Sequence, residues 1–410
     1  MLSANWRRLL WLPLLLLLLS SRTLGDSSAL SSANERWGLR LASSLGLEQA
    51  QSNVAVSPLL LQAALTLLYA GVASNSATQQ QLRVALELQQ LGSSPAAAVQ
   101  HFVALLTELK QTAAIGCQLR LLSAFYTQQR YTFNFRDEFE RQAAALSIGV
   151  QRLDFDDLPH VAQSINYEFL KRSNYSVGAA VSAADADAAS DTPFLHVSAL
   201  TFHAPWLTGF DPQQTQRLNF FNSAQSHKLV DAMFVQHRFR YAELAAFDAC
   251  LIELPFAVAE LSMLIIYPNR LDGLPDLERK LQSSEFELWQ LRQQLSERKL
   301  SLTLPKFNLL AHTELRHTLE QLGLSKLFSS EAQLHKVFSS LLASSAPHLT
   351  AVAHTALLEL HEAGGTADQS FFASFADLFR STQSLVINHP FFYAIGNDKA
   401  LLLAGHVVDI

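Results

Sequence analysis

The sequence predicts one large α+β domain, and three observations support this fold class. Of the 410 residues, 49% are hydrophobic and 16% are charged, which suits a chain with a sizeable buried core and excludes a disordered one. Helical and strand-like patterns are mixed along the chain. No linker rich in proline, glycine or serine interrupts residues 30–360 and no segment repeats, so a single domain with helices first and antiparallel sheet later is the simplest arrangement.

Residues 1–25 have the features of a secretory signal peptide. A pair of arginines provides the positive end, residues 9–19 form an uninterrupted apolar run, and the small residues Thr23 and Gly25 are placed for cleavage. The apolar run is too short to cross about 30 Å of hydrocarbon as a helix. We therefore expect a secreted, extracellular protein with no membrane partner.

Four segments of the chain have the pattern of helices. Residues 58–71 are apolar on almost every side, which indicates a deeply buried helix that ends near Gly71. Residues 78–91 and 98–114 have apolar positions at helical spacing, with polar residues between them. Residues 274–297 are also predicted to be helical, with a proline near their start.

Shorter apolar runs, bounded by prolines or turn residues, predict strands in the second half of the chain. One of them alternates leucine with polar side chains, as a half-buried antiparallel strand does. The last two are joined by a turn at residues 396–398. The predicted strands are residues 250–254, 261–267, 299–304, 386–395 and 401–408.

The sequence contains no motif of a known catalytic or cofactor site. It lacks the nucleophile elbow, the phosphate-binding loops, Cys-x-x-Cys pairs and the His-Glu-x-x-His zinc motif. His361 and Glu362 resemble the start of that zinc motif, but two glycines follow and the second histidine is missing. We therefore expect no enzyme, no metal and no cofactor. The net charge of −6 also argues against a nucleic-acid partner, because phosphate binding requires clustered lysine and arginine.

Two features depend on secretion. Cys117 and Cys250 either pair in an oxidising compartment or remain as two buried free thiols, and the sequence leaves both alternatives open. Asn174, followed by Tyr175 and Ser176, forms the N-glycosylation sequon of the chain. It predicts a glycan on an exposed loop.

Residues 361–388 form an unusual segment between the apolar run 356–360 and the final strands. A connection of this length inside a compact domain is usually functional or disordered. Its apolar residues recur at helical spacing, so it is either an exposed binding segment or an amphipathic helix that belongs to the core. These residues are Phe371, Phe372, Phe375, Leu378 and Phe379.

Short blocks, in order along almost all of residues 30–410, resemble the serpin family. Each block is weakly specific alone, and their common order makes the resemblance strong. It implies the serpin fold, with helices packed on large antiparallel and mixed β-sheets and an exposed reactive-centre loop near the C-terminus. The blocks lie in residues 53–58, 202–212, 241–243, 252–255, 261–269, 304–307, 322–323 and 389–391.

The resemblance implies a secreted suicide inhibitor of serine proteases, with a signal peptide followed by a single serpin domain at residues 26–410. The hinge and reactive-centre loop, residues 361–388, would act as bait, be cleaved at a reactive bond, and enter the main sheet as a new strand. Inserted residues alternate between the two faces of a sheet, so those that face the core must be small and uncharged. The hinge residues are Glu362, Gly364, Gly365, Thr366, Ala367 and Asp368.

Two alignments of this loop remain open. Counting from His354, which matches the buried histidine of the family, makes Glu362 the hinge glutamate and places the reactive bond at Leu378-Phe379. Counting from Thr366, which matches the usual hinge threonine, places the bond at Phe379-Arg380. The two counts differ by one residue because the chain has two adjacent glycines in the hinge.

Each alignment has a cost on insertion. The threonine count buries the Asp368 carboxylate, which costs several kcal/mol unless it is paired or protonated. The glutamate count places Phe371 in a position shaped for a smaller side chain, and overpacking costs about 1–3 kcal/mol. Because trapping is a race between insertion and hydrolysis, we expect inhibition of reduced efficiency.

Ser57, Ser198 and His354 match a hydrogen-bonded cluster that the family has beneath its main sheet, called the shutter. Ser198 replaces an asparagine of the family, and Leu60 replaces a second serine. We therefore expect the hydrogen bonds of this cluster to be only half complete.

An apolar residue before the reactive bond, Leu378 or Phe379, suits a chymotrypsin- or elastase-like protease, whereas a trypsin-like target requires Arg380. Residues 75–118 contain two basic residues, so we expect no heparin site there. We also expect a monomer.

The alternative function is that of a non-inhibitory serpin-fold binding protein, whose phenylalanine-rich loop forms a helix or docks on a partner.

Overall fold

The computed structural model describes residues 11–92, 94–112, 116–129, 134–186, 194–258, 260–283, 287–339, 347–364 and 383–410, with the backbone alone for residues 11–27. The helices are α1 (Trp11–Glu48), α2 (Pro58–Gly71), α3 (Ala77–Ala85), α4 (Pro95–Thr112), α5 (Asp137–Ala145), α6 (Leu158–Arg172), α7 (Ala183–Ala186), α8 (Leu274–Leu281), α9 (Leu288–Gln293) and α10 (Arg316–Leu319). None of the helices in these ranges has the length and apolarity needed to cross a membrane.

The strands form two sheets. They are β1 (Val54–Val56), β2 (Gln118–Gln128), β3 (Gly149–Leu153), β4 (Phe194–His203), β5 (Gln216–Ser223), β6 (Ser226–Leu244), β7 (Ala249–Pro255), β8 (Ser262–Pro268), β9 (Ser296–Pro305), β10 (Phe307–Glu314), β11 (Ala351–Leu360), β12 (Gln383–Val386), β13 (Phe391–Gly396) and β14 (Leu401–Val407). Among the described residues, one sheet has nine strands in the order β1-β14-β13-β8-β7-β6-β9-β12, with β5 paired to β6. The other has five, in the order β10-β11-β4-β2-β3. The fold is therefore α+β with mixed sheets.

The five-stranded sheet contains a parallel pair at its centre. Residues 351–358 of β11 pair in parallel with residues 195–202 of β4. On either side the pairing is antiparallel, β10 with β11 and β4 with β2. We call the β11–β4 pair the seam, because it is where two antiparallel pairs meet.

Helix α2 is the buried helix that the sequence predicts for residues 58–71. Ser57 caps it, since the Leu60 N–H donates to Ser57 Oγ over 3.4 Å, and Pro58 occupies the first turn, where no amide donor is needed. Every residue of the helix except Ala70 is buried, which explains why the sequence shows no polar face.

Helix α6 covers one face of the five-stranded sheet. Its buried residues Val161, Ile165 and Phe169 share a hydrophobic cluster with Val197 of β4 and Ala353 of β11. The helix therefore shares one hydrophobic core with both strands of the seam, and a change in the seam must also change this core.

Two predicted elements differ from the structure. The predicted helix at 274–297 is two short helices, α8 and α9, and the chain enters β9 at Ser296, where pairing with Tyr241 of β6 outweighs the helical periodicity. The predicted strand at 386–395 is interrupted at residues 387–390. There the Ile387 N–H donates to Thr303 and the Asn388 carbonyl accepts from Phe221, so these groups cannot join a ladder with β8.

The two cysteines are free in the structure. Cys250 is buried in β7, and Cys117 is half-buried just before β2. Burial raises the pKa of each thiol to about 11. Both side chains are therefore protonated at neutral pH and poorly reactive.

The glycosylation sequon lies directly after α6 and is exposed. Asn174 and Tyr175 both adopt the left-handed backbone conformation, with φ of 57° and 66°. Asparagine tolerates this conformation better than most residues. The sequon is thus held on a tight turn at the surface.

We expect Asn174 to carry a glycan when the chain is secreted. Ser176→Ala should abolish the mass difference that N-glycosidase produces, because it removes the sequon while keeping asparagine at the left-handed position. Its unfolding free energy should stay within about 0.5 kcal/mol of the deglycosylated wild type, since position 176 is exposed. The same mass spectrum should show Asp26 as the first residue. An unmodified secreted protein would contradict this prediction.

Candidate functional site

The centre of the seam is held by His354. This residue lies on β11 directly opposite Ser198 of β4, and both are fully buried. The Ser57 N–H donates to His354 Nε2 over 3.0 Å, so Nε2 is unprotonated and Nδ1 carries the hydrogen. Nδ1 lies 2.8 Å from Ser198 Oγ and donates to it. One imidazole therefore connects β11, β4 and the start of α2.

The structure thus brings together the three residues that the sequence assigns to the shutter. The expectation of a half-complete cluster is wrong for His354, because both of its ring nitrogens are bonded. The hydroxyl of Ser57 caps α2, and its backbone amide makes the contact with the imidazole. Ser198 is long enough to reach the ring in place of asparagine.

A second buried pair lies beside the first and was not predicted. His196 on β4 has its Nε2 2.8 Å from Ser123 Oγ on β2. Burial lowers the pKa of His196 to about 3, and burial together with the neighbouring His196 and His312 lowers that of His354 to about 3. Both imidazoles are therefore neutral across the physiological range.

At the end of the seam, residues 361–364 pack against residues 206–210. Two donors of Trp206 hold this segment, since its N–H donates to the Ala363 carbonyl and its Nε1 to the His361 carbonyl, each over 3.0 Å. The Phe210 N–H donates to the Glu362 carbonyl over 3.1 Å. We call residues 361–364 the docked hinge.

The side chain of Glu362 adds a charged contact to the docked hinge. Lys306 Nζ lies 2.9 Å from Glu362 Oε2, and the Thr215 hydroxyl donates to Oε1 over 2.9 Å. Burial acts to raise the pKa of the Glu362 carboxyl, but these two partners outweigh it and the pKa lies below its ordinary value. The carboxylate is therefore ionised and paired at neutral pH.

Gly364 is the residue of the docked hinge with no room for a side chain. A Cβ there would lie 2.4 Å from Gly209 Cα and 2.8 Å from the Trp206 carbonyl oxygen, which is closer than atoms can approach. The other hinge and reactive-bond candidates lie outside the described residues. They are Gly365, Thr366, Ala367, Asp368, Leu378, Phe379 and Arg380.

The two ends of the candidate loop are held by different sheets. The chain leaves the five-stranded sheet at Leu360, the last residue of β11, and rejoins the nine-stranded sheet at Gln383, opposite Leu300 of β9. Within the described ranges, no group of three or more histidines, cysteines or carboxylates is arranged to hold a metal ion. The candidate site is thus a seam, its docked hinge and the segment that follows.

Comparison with known proteins agrees with this architecture. Residues 32–410 match the family model described as Serpin (serine protease inhibitor). The chain belongs to the serpin family. Serpins generally inhibit proteases, and the inhibitors of the family are not enzymes themselves.

Individual relatives are distant but align along most of their length. Serine protease inhibitor 42Dd of Drosophila melanogaster is 27% identical over 89% of this serpin and 93% of the relative. Human Serpin B3 is 26% identical over 85% and 91%. Among solved structures, human thyroxine-binding globulin complexed with thyroxine superposes with a TM-score of 0.80 at 19% identity, covering 94% of this chain and 99% of that one.

The buried histidines predict a loss of stability in acid. Their pKa in the folded state, about 3, lies below the unfolded value of about 6.5, so the unfolded chain binds more protons as the pH falls. The contribution of these histidines to the free energy of unfolding should therefore be fully present above pH 6.5 and fall progressively toward pH 3. Removing one of them, as in His354→Gln, should reduce the slope by up to about 1.4 kcal/mol per pH unit.

Urea unfolding at several pH values measures this slope. The variant is expected to start from a lower stability, because a seam hydrogen bond is altered, but to depend less on pH. His317→Gln, at an exposed position, is the matched control and should keep the wild-type slope. Equal slopes of unfolding free energy against pH in all three proteins would contradict the role of His354 in the acid sensitivity.

The contact between Gly364 and Gly209 predicts that Gly364→Val lifts the docked hinge. The side chain must displace backbone atoms, at a cost of about 1–3 kcal/mol, and Trp206 then becomes exposed to solvent. A red shift of tryptophan emission and faster proteolysis after residue 360 are the expected results. Ala363→Val, at an exposed neighbouring position, should leave both unchanged.

Proposed function

We propose that this serpin is an extracellular suicide inhibitor of a chymotrypsin- or elastase-like serine protease. The observation that carries the proposal is the seam, a parallel strand pair at the point where the candidate loop leaves the sheet. The loop begins directly after β11, so a segment that folds back along this strand runs antiparallel to it. Because β4 is parallel to β11, the same segment is antiparallel to β4 as well.

Insertion at the seam would make the central strands antiparallel throughout. The order would become β10, β11, the inserted loop, β4 and β2, with each neighbour antiparallel to the next. Antiparallel pairing is slightly more stable per residue than parallel pairing, and insertion replaces the one parallel ladder between β11 and β4 by two antiparallel ladders. The closed seam therefore has a lower-energy arrangement available once the loop is free to move, as it is after cleavage.

The docked hinge favours one of the two alignments of the loop. Glu362 is held by Lys306 and Thr215, and Gly364 is the residue that must lack a side chain, so the contacts match the family pattern when the count starts at Glu362. The second glycine is then the additional residue. We accordingly assign the reactive bond to Leu378-Phe379, with an apolar side chain for the specificity pocket of the protease.

In this alignment Phe371 faces the core after insertion, and Asp368 faces the solvent. The overpacking by Phe371 slows insertion, so part of the protease completes hydrolysis and dissociates. We propose a monomeric inhibitor that acts without heparin, since the region of α3 and α4 carries few basic residues. A single glycan at Asn174 completes the proposed extracellular form.

The alternative is a binding protein that has lost inhibition. It is favoured by the four phenylalanines and one leucine between residues 371 and 379. A protease recognises the reactive bond mainly through one apolar side chain, so the others are available to bind a partner. The likeness in fold to thyroxine-binding globulin, whose solved complex contains thyroxine, shows that this architecture also occurs in a ligand-binding protein.

Incubation of the secreted protein with chymotrypsin tests the two functions. A detergent-stable complex of the summed mass and a released C-terminal peptide that begins at Phe379 are expected. Phe371→Ala should raise the trapped fraction severalfold because it removes the overpacking, while the control Asp368→Ala should not change it.

Other outcomes separate the alternatives. A peptide that begins at Arg380, with improvement by Asp368→Ala alone, would establish the threonine count. Clean cleavage without a complex, by chymotrypsin, elastase and trypsin alike, would exclude inhibition and favour the binding protein.

A further inference from the structure

Two histidines lie side by side at the end of the seam where the docked hinge begins. His203 is the last residue of β4, and His361 is the first residue after β11. Their rings are stacked, with centroids 4.4 Å apart and planes inclined by 9°. The backbone ladder between the two strands extends only to Phe202 and Leu358, so the ring pair continues the contact beyond the last paired residues.

The ring pair is part of the attachment of the docked hinge. The carbonyl of His361 accepts from Trp206 Nε1, and the next two carbonyls accept from the N–H groups of Phe210 and Trp206. Separation of the two rings would therefore move His361 and strain these three hydrogen bonds.

The surroundings of the pair are unsuited to positive charge. His203 Nδ1 is buried and has no hydrogen-bond partner among the described residues, so the neighbouring ring lies in a poorly solvated place. The charged groups that face His361 are Glu359 on β11, Lys306 between β9 and β10, and Glu362 in the hinge. Lys306 repels a proton on the ring, and the two carboxylates attract one.

Burial and the adjacent His203 have the larger effect, and the pKa of His361 lies below its ordinary value. In a state where the hinge has left β4, the imidazole is solvated and its pKa returns toward about 6.5. Protonation therefore favours the released state, and the docked state is stable above about pH 6.5 and weakens as the pH falls.

We propose that His203 and His361 form an acid-sensitive contact that fastens the docked hinge to β4, and that protonation of His361 releases residues 361–363 from Trp206 and Phe210. Release of the hinge is a property of the native chain. Its consequence, faster entry of the loop at the seam in mildly acidic solution, rests on the proposed inhibitory function.

Hydrogen exchange measures the release without a protease. The amides of Trp206 and Phe210 donate to the hinge, so a peptide covering residues 204–210 reports on it. After correction for intrinsic exchange, wild-type protection of these amides should fall by up to about tenfold from pH 7.5 to pH 5.5, the limit for one histidine, which corresponds to about 1.4 kcal/mol.

His361→Gln keeps a polar side chain that does not titrate and should reduce this change to less than twofold. His203→Gln removes the smaller of the two effects on His361 and should reduce the change only in part. His317→Gln is the control and should behave as the wild type. If His203→Gln is not secreted, His361→Gln alone decides, because its half-buried side chain tolerates the substitution more easily. An equal loss of protection in the wild type and the His361 variant would overturn the proposal.

A second measurement separates this inference from the proposed function. The fraction of chymotrypsin trapped as a detergent-stable complex is compared at the two pH values in the wild type and in His361→Gln. Complexes whose yield has the same pH dependence in both proteins would refute the role of the pair in insertion while supporting inhibition. Acid-dependent exchange that requires His361, with no complex at either pH, would support the hinge contact and refute inhibition.

Discussion

The parallel pairing of β4 with β11 is the constraint on which the rest of this structure depends. Two antiparallel pairs, each of ordinary stability, meet there in the less favourable orientation. The arrangement is kept closed by contacts from three directions: His354 from within, α6 from one face, and the docked hinge from the end. Each of them connects β11 or its extension to a part of the chain that is distant in sequence.

The buried histidines inside the seam are uncharged, whereas an ion pair lies at its end. His196 and His354 are neutral because burial disfavours the imidazolium form, and a serine hydroxyl bonds one nitrogen of each ring. At the end, Glu362 is ionised and paired with Lys306. A change of protonation therefore affects the two regions differently. Acid weakens the packing of the interior, whereas the ion pair persists until the carboxylate is protonated.

Much of this arrangement could be predicted from the sequence. The buried helix α2, the strands at 250–254 and 261–267, and the grouping of Ser57, Ser198 and His354 follow from residue pattern and family resemblance. The helix at 274–297 could not be predicted correctly, because its C-terminal part gains more from pairing with β6 than from its own periodicity. The contacts of His203 with His361 and of Gly209 with Gly364 are invisible to local patterns, since their partners meet only in the assembled fold. Glycine pairs and isolated histidines carry no periodic signal, so only the geometry assigns them a role.

The position of β14 has a consequence for how the protein is made. This strand is the last of the described strands in sequence, yet it lies inside the nine-stranded sheet, between β1 and β13, with Val54 opposite His406. Among the described strands, β1 pairs only with β14, so this part of the sheet cannot close until β14 has left the ribosome. A nascent chain stalled before β14 would expose the unpaired edges of both flanking strands, which are templates for aggregation. This sheet therefore closes only after β14 has been made, and both flanking strands must stay apart from other chains until then.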